Sequence, residues 1–139
     1  MVVALSRVVS VAHLRLETAR GPLHCSVEVP GSKSIANRAL ICAALAGEGS
    51  VVTNIPGGDD TVAMLDGLRA LGLAISQVNE SVSFSSSLNL ENTDEVNIHA
   101  ALAGTSSRFL TALGALRQGN TCIDGFDALR KRPMEDLHI

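Results

Sequence analysis

The second half of the chain weakly repeats the first at an offset of 70 residues. The identical residues that recur are Arg38 and Arg108, Leu40 and Leu110, Gly49 and Gly119, Met64 and Met134, and Asp66 and Asp136. A repeat of this length predicts one supersecondary unit that occurs twice. In both copies an arginine lies in the first turn of a predicted helix, so the chain is expected to present the same cationic helix start twice.

Hydrophobic periodicity and turn residues predict an α/β protein built from repeated βαβαββ units, the second of them incomplete. The predicted elements are, in chain order, a strand at 27–29, a helix at 34–46, a strand at 51–55, a second helix, a hairpin of 73–78 and 82–84 around Asn79-Glu80, a strand at 96–99 and a helix at 105–116. The second helix is capped by Asp60, carries Met64, Leu65, Leu68 and Leu71 on one stripe, and ends at Gly72. The chain is expected to end inside an element.

The segment from Pro30 to Leu40 predicts a phosphate site at the start of the first helix. Proline and glycine end the preceding strand, Ser32 or Ser34 can cap the helix, and the free backbone N–H groups of the first turn attract anions. Lys33 adds a positive charge. The segment lacks the glycine and lysine spacing of nucleotide-binding P-loops.

Arg38 is unusual on this helix, since only Asn37 and Arg38 are polar between Ser34 and Gly47. A helix that is apolar on nearly all sides is expected to be buried, and a buried guanidinium needs an anionic partner. That partner is either a substrate or a carboxylate elsewhere in the protein, and the local pattern leaves both readings open.

Composition narrows the possible ligands. The chain has 139 residues, 46% hydrophobic residues and a net charge of −3, with no Trp or Tyr and no run of apolar residues long enough to span a membrane. An acidic chain without aromatic platforms argues against nucleic acid. Cations nevertheless cluster at predicted helix starts, which suits small phosphorylated ligands. These cations are Lys33, Arg38, Arg108, Arg130, Lys131 and Arg132.

The three cysteines, Cys25, Cys42 and Cys122, lie in apolar runs and are odd in number. We expect reduced, buried thiols, a cytoplasmic location, and neither a disulfide framework nor a metal site.

Four segments together resemble the family of 5-enolpyruvylshikimate-3-phosphate synthases (EPSP synthases, 3-phosphoshikimate 1-carboxyvinyltransferases). They are Pro30 to Leu40, Thr53 to Leu65 with Asp59-Asp60-Thr61, Ala103 to Leu110, and Leu129 to Met134. They occur in the family's order, and the likeness covers residues 23–139.

The resemblance implies the enolpyruvyl transferase fold, in which two domains of three units each close around the substrates. Residues 1–30 are then lead-in strands that pack with the far domain, and 31–139 form an incomplete near domain, with unit one at about 31–97 and unit two at about 98–139. The expected partner is the remaining C-terminal part of the enzyme. The chain alone is expected to be inactive and to expose apolar helix faces.

The resemblance also implies a reaction and roles for individual residues. The family transfers the enolpyruvyl group of phosphoenolpyruvate to the 5-hydroxyl of shikimate 3-phosphate, a step in aromatic amino acid biosynthesis that glyphosate inhibits, and it uses no cofactor or metal. Lys33 is the expected catalytic residue and contacts both substrates. Ser34 and Arg38 are expected to bind shikimate 3-phosphate, Gly104 and Arg132 to bind phosphoenolpyruvate, and Thr105, Arg108 and Asp60 to support the site.

Several of these residues have a purely structural alternative. Gly104 could be a turn glycine with positive φ, Arg108 could form a structural ion pair, and Asp60 could act only as a helix cap. Arg130 and Lys131 are expected to be solvated neighbours of the site.

The sequence departs from the family at two positions, and two other functions are alternatives to the one that the resemblance implies. Leu102 stands where many members have Asn, and Phe109 where some have Pro. The related UDP-N-acetylglucosamine enolpyruvyl transferases have Lys-Asn in place of Lys33-Ser34 and a catalytic cysteine at the position of Asp127. A different class of function is a non-catalytic module that only binds a phosphorylated ligand.

Overall fold

Helices and short strands alternate along the part of the chain that the computed structural model describes, residues 21–22 and 24–134. The elements in order are α1 (Lys33–Ala46), β1 (Val51–Val52), α2 (Asp59–Ala70), β2 (Ile75–Val78), β3 (Ser81–Phe84), β4 (Val96–His99), α3 (Gly104–Gly114), β5 (Thr121–Asp124) and α4 (Asp127–Arg130). Within these residues, no helix has the length and apolar character needed to cross a bilayer.

The first half contains an antiparallel sheet in the order β1-β3-β2. The hairpin turns at Asn79-Glu80, where Asn79 has a φ of 52°, and Val78 lies opposite Ser81. Val82 and Phe84 of β3 are buried and alternate with more exposed serines. The predicted hairpin is therefore confirmed, although its first strand begins at Ile75 and not at residue 73.

The second half contains a parallel pair of strands. β4 and β5 pair with Val96 opposite Thr121 and His99 opposite Asp124, and α3 makes the crossover between them. Parallel strands need such a crossover, which explains why a helix separates them. The short helix α4 follows β5 at once and brings the segment containing Arg132 back towards the start of α3.

One hydrophobic core joins the two halves. The predicted stripe of α2 is buried, and Leu110 of α3 packs into the same cluster. Gly67 of α2 lies directly against the side chain of Leu110, so a β-carbon at position 67 would collide with it. The absence of a side chain at Gly67 thus lets α2 and α3 approach closely.

One predicted strand is absent, and another is shorter than predicted. Residues 24–30 form no strand, and Val27 and Val29 are 75% and 70% exposed because no neighbouring strand of the described chain pairs with them. The strand predicted at 51–55 is reduced to Val51–Val52, since Asn54 adopts a φ of 56°, which breaks the extended conformation.

The burial predicted for α1 and for the cysteines is also wrong. Only one side of α1 is covered by the core, and Ile35 on the other side is 69% exposed. Cys25, Cys42 and Cys122 are exposed and free. Both predictions assumed that an apolar sequence run is covered on all sides, whereas each element here packs on one face.

The repeat is visible as a recurrent order of elements. Helices α1 and α3 hold corresponding positions, and each is followed by a short strand and a further helix. The limits of the lead-in and of the two units stay predictions, and the boundary predicted near residue 97 falls within β4.

Candidate anion-binding site

The N-terminal turns of three helices meet at one place. Ser106 in the first turn of α3 donates a hydrogen bond from Oγ to the backbone oxygen of Asp60 in α2, at 2.9 Å. Asn37 of α1 donates from Nδ2 to Ser106 Oγ at 3.4 Å. Asn37 and Ser106 are 1% and 0% exposed, so these polar links cross the core and fix the helix starts relative to one another.

Lys33, the first residue of α1, forms an ion pair with the carboxylate of Asp60. Asp60 is not the predicted cap: Gly58 is the N-cap of α2, and no side chain caps that helix. The Lys33 side chain is 59% exposed. Exposed ion pairs contribute little to stability, so an anionic ligand can compete with Asp60 for the ammonium group.

The start of α1 keeps its positive electrostatic character. Ser32 is the N-cap, but neither it nor Ser34 provides the predicted side-chain cap, and the first turn contains no acidic residue. The unsatisfied N–H groups and the helix dipole therefore favour an anion at this end.

Arg38 is exposed, which corrects the expectation of a buried guanidinium. Its Nη1 donates to the backbone oxygen of Ser34 at 2.8 Å, and the guanidinium lies over the ring of Phe109, 5.6 Å from the ring centroid. No carboxylate among the described residues pairs with it. The structural ion pair considered for Arg38 is thus absent from this part of the chain.

Gly104 and Arg132 are neighbours. Gly104 is the first residue of α3 and has no positive φ, so its reading as a turn glycine is wrong. A β-carbon at position 104 would collide with Nη1 of Arg132. Nearby, Arg108 Nη2 donates to the backbone oxygen of Pro133 at 2.8 Å, which holds the segment containing Arg132 against α3.

Ala103 holds the N-cap position of α3, and Thr105 lies inside the helix as its second residue. Thr105 is exposed, as is Leu102, at 51%. Leu102 and Asp60 both line a cavity of about 350 Å³ between the start of α2 and the end of β4. A larger cavity of about 590 Å³ lies between α3 and β5, and neither Lys33 nor Arg38 lines it.

Arg130 has a solvent-exposed side chain, as the sequence predicted, and it is also ion-paired. Its Nε and Nη2 donate to the two carboxylate oxygens of Asp124 at 2.8 and 2.7 Å. These bonds from Arg130, with a further one from the Gly125 N–H, hold the pKa of Asp124 well below its ordinary value. The pair closes the turn between β5 and α4, which leads directly to Arg132.

We expect Arg130→Gln to raise the pKa of Asp124 towards the ordinary carboxyl value of about 3.9. Because the pKa is lowered in the folded state, the pair stabilises the fold above that ordinary value and loses its effect as the pH falls through the lowered one. In a ¹³C NMR titration of the carboxyl carbons, Asp124 should become protonated at a higher pH in the variant than in the wild type.

Arg69→Gln is the matched control for this titration. It removes a comparable surface arginine, which pairs with Asp66 at 3.0 Å, and should leave the titration of Asp124 unchanged. An Asp124 carboxyl that titrates alike in the wild type and in Arg130→Gln would contradict the assigned cause.

Sequence reasoning missed the links between the helix starts. Asn37 was visible as a polar residue in an apolar helix, but nothing marked Ser106 as its partner, since 69 positions separate them. The described residues contain no cluster of His, Cys, Asp and Glu that could hold a metal ion.

The fold and this site define an α/β protein that gathers cations and helix N-termini at one place, as proteins that bind small phosphorylated ligands do. Residues 18–138 match the family model described as EPSP synthase (3-phosphoshikimate 1-carboxyvinyltransferase), and the chain belongs to that family.

Individual relatives agree with this assignment. The chain is 40% identical over 116 residues to the 3-phosphoshikimate 1-carboxyvinyltransferase of Rhizobium etli strain CFN 42, covering 84% of this chain and 28% of that protein. It is 39% identical over 120 residues to that of Kocuria rhizophila, covering 81% of this chain and 27% of the relative. The chain therefore spans just over a quarter of the length of these relatives.

Solved structures support the fold class. The EPSP synthase of Acinetobacter baumannii, determined at 2.37 Å, superposes with a TM-score of 0.69 and 28% sequence identity, over 78% of this chain and 25% of that structure. A second structure of the A. baumannii enzyme gives a TM-score of 0.68. The predicted enolpyruvyl transferase fold, present only in part, is confirmed.

Proposed function

We propose that this chain is part of an enzyme that transfers the enolpyruvyl group of phosphoenolpyruvate to the 5-hydroxyl of shikimate 3-phosphate, and that the chain alone is inactive. The observation that carries the proposal is the meeting of three helix starts around Lys33, Asp60 and Gly104. Two phosphorylated substrates repel each other, so a site that holds both needs clustered cations and N–H groups of this kind.

Lys33 is the proposed catalytic residue. Its exposed ammonium group can leave Asp60 for the substrate phosphates, and we propose that it stabilises the charge that develops between the two substrates. Ser34 and Arg38 are proposed to bind shikimate 3-phosphate, because Arg38 is exposed, fixed by the Ser34 carbonyl and without a carboxylate partner in the described chain.

Gly104 and Arg132 are proposed to bind phosphoenolpyruvate. The missing side chain at Gly104 makes room for the Arg132 guanidinium, whose donors suit a phosphate. Arg108 supports this arrangement through the Pro133 carbonyl, Asp60 supports Lys33, and Thr105 is exposed on the first turn of α3. Proton transfer during addition and elimination is assigned to the rest of the enzyme.

The proposed partner is that remaining part of the polypeptide, and we propose a cytoplasmic location without nucleic acid as a partner. Three free, exposed cysteines fit a reducing compartment. No metal or cofactor is assigned to the reaction.

The proposal is tested by reconstitution. The chain is mixed with the separately produced remainder of the R. etli relative, and phosphate release from the two substrates is measured. We expect turnover only in the mixture.

Amide NMR of the chain with shikimate 3-phosphate should show saturable shifts confined to about residues 31–38. Shifts without turnover in the mixture would support a binding module, and a response to UDP-N-acetylglucosamine instead would support the related transferase.

We expect Gly104→Ala to weaken phosphoenolpyruvate binding about tenfold, since the new methyl group displaces the Arg132 guanidinium and a hydrogen bond to a charged group contributes about 1.5–3 kcal/mol. Stability should change little, because the colliding atom is the end of an exposed, flexible side chain. Calorimetric titration of the reconstituted mixture measures the affinity.

Gly57→Ala is the matched control, because a β-carbon at Gly57 meets no atom within 4 Å. An equal loss of phosphoenolpyruvate affinity in both variants, or none in Gly104→Ala, would remove Gly104 from the site.

A further inference from the structure

The guanidinium of Arg38 is held by an aromatic ring from the other half of the chain. Its central carbon lies 5.6 Å from the centroid of the Phe109 ring, within the distance at which a cation and an aromatic face attract each other. On the other side, Arg38 Nη1 donates to the Ser34 carbonyl of its own helix. Two contacts thus fix the orientation of this side chain, and in neither of them is the partner group an anion.

The buried polar link between α1 and α3 lies next to this contact. Asn37 precedes Arg38, and Ser106 precedes Phe109 by one helical turn, so the Asn37–Ser106 hydrogen bond sets the register in which Arg38 meets the ring. Phe109 itself is partly buried and packs against the core cluster. Its ring is therefore a fixed surface and not a mobile side chain.

The internal repeat indicates that the contact is specific to one of the two related arginines. At the 70-residue offset, Arg108 corresponds to Arg38, but Ala39 corresponds to Phe109. Among the described residues, only Arg38 of these two arginines lies over an aromatic ring, and Arg108 donates instead to the Pro133 carbonyl.

We infer that Phe109 is a positioning residue for substrate binding: it holds Arg38 in the orientation that shikimate 3-phosphate requires. A cation–π contact uses no N–H group as a conventional hydrogen-bond donor, so N–H groups of the guanidinium stay free to donate to a ligand. A long side chain that is already ordered loses less conformational freedom when the ligand binds. This inference rests on the proposed function, since it assigns the ligand of Arg38.

The test compares Phe109→Leu, which removes the ring, with Phe109→Tyr, which keeps its face. The first readout needs no ligand: the δ-methylene protons of Arg38 should be shifted upfield by the ring in the wild type and in Phe109→Tyr, and should move to ordinary positions in Phe109→Leu. The second readout is the Kd for shikimate 3-phosphate, which should rise about two- to fivefold in Phe109→Leu, as expected for an exposed cation–π contact, and stay unchanged in Phe109→Tyr.

Each outcome decides the inference. An ordinary Arg38 proton shift in the wild type overturns it without any substitution, so a poorly folded Phe109→Leu does not obstruct the test. Loss of the upfield shift with an unchanged Kd overturns the positioning role. If only the reconstituted mixture binds shikimate 3-phosphate, the same titration of the mixture gives the Kd that decides the inference. If neither the chain nor the mixture binds it, the proposed function fails.

Discussion

Lys33→Met is expected to weaken the binding of shikimate 3-phosphate by about 10- to 100-fold. The substitution keeps an unbranched side chain but removes the ammonium group, and a hydrogen bond to a charged group contributes about 1.5–3 kcal/mol, with each 1.4 kcal/mol equal to a factor of ten in Kd. Asp60 adds to the loss, because its carboxylate is then left without its partner and repels the phosphate. Amide NMR titration of the chain measures the change in Kd.

Lys131→Met is the matched control, since Lys131 is the only other lysine in the sequence and is exposed just after α4. It should leave the Kd for shikimate 3-phosphate within about twofold of the wild type, as expected for an exposed charge that does not contact the ligand and is screened by salt. An equal loss in both variants would mean that the overall positive charge, and not the position of Lys33, attracts the ligand.

Leu110→Ala is expected to lower the free energy of unfolding by about 2–5 kcal/mol. The Leu110 side chain is 0% exposed and packs directly on Gly67, so its removal leaves a cavity that neither helix can fill without moving. The free energy of unfolding of a small domain is only about 5–15 kcal/mol, so this single change is expected to remove a large share of the stability. Urea denaturation followed by circular dichroism measures it.

Leu116→Ala provides the comparison, because Leu116 follows α3 closely and is 52% exposed. Leu116→Ala should lower the free energy of unfolding by less than about 0.5 kcal/mol, as is usual for surface substitutions. Similar losses for the two leucines would show that the interface between α2 and α3 is not packed in solution as described.

The elements that local patterns define were predictable from the sequence. The stripe of α2 and the hairpin around Asn79-Glu80 follow from apolar spacing and turn residues, which act over a few positions. The strand at 27–29 failed because a strand needs a partner, and its own sequence cannot show whether one is present.

The contacts within the site were less predictable than its members. The resemblance named Lys33, Gly104 and Arg132 as site residues, but the pairing of Lys33 with Asp60 and the approach of Arg132 to Gly104 depend on how separate helices meet. The burial of Arg38 was also predicted wrongly. Arg38 was expected to be buried because its helix is apolar, yet α1 is covered on one face only.

The hydrogen bond between Asn37 and Ser106 has a consequence for the order of events during synthesis. The two residues are 69 positions apart, and a ribosome adding about 5–20 residues per second needs about 3–14 s to make that stretch. Throughout this interval α2 can already pack on α1, but the buried amide of Asn37 has no hydrogen-bond partner on α3. The polar link between α1 and α3 can therefore form only after α2 and the hairpin have been made, so it is a late contact in the assembly of this core.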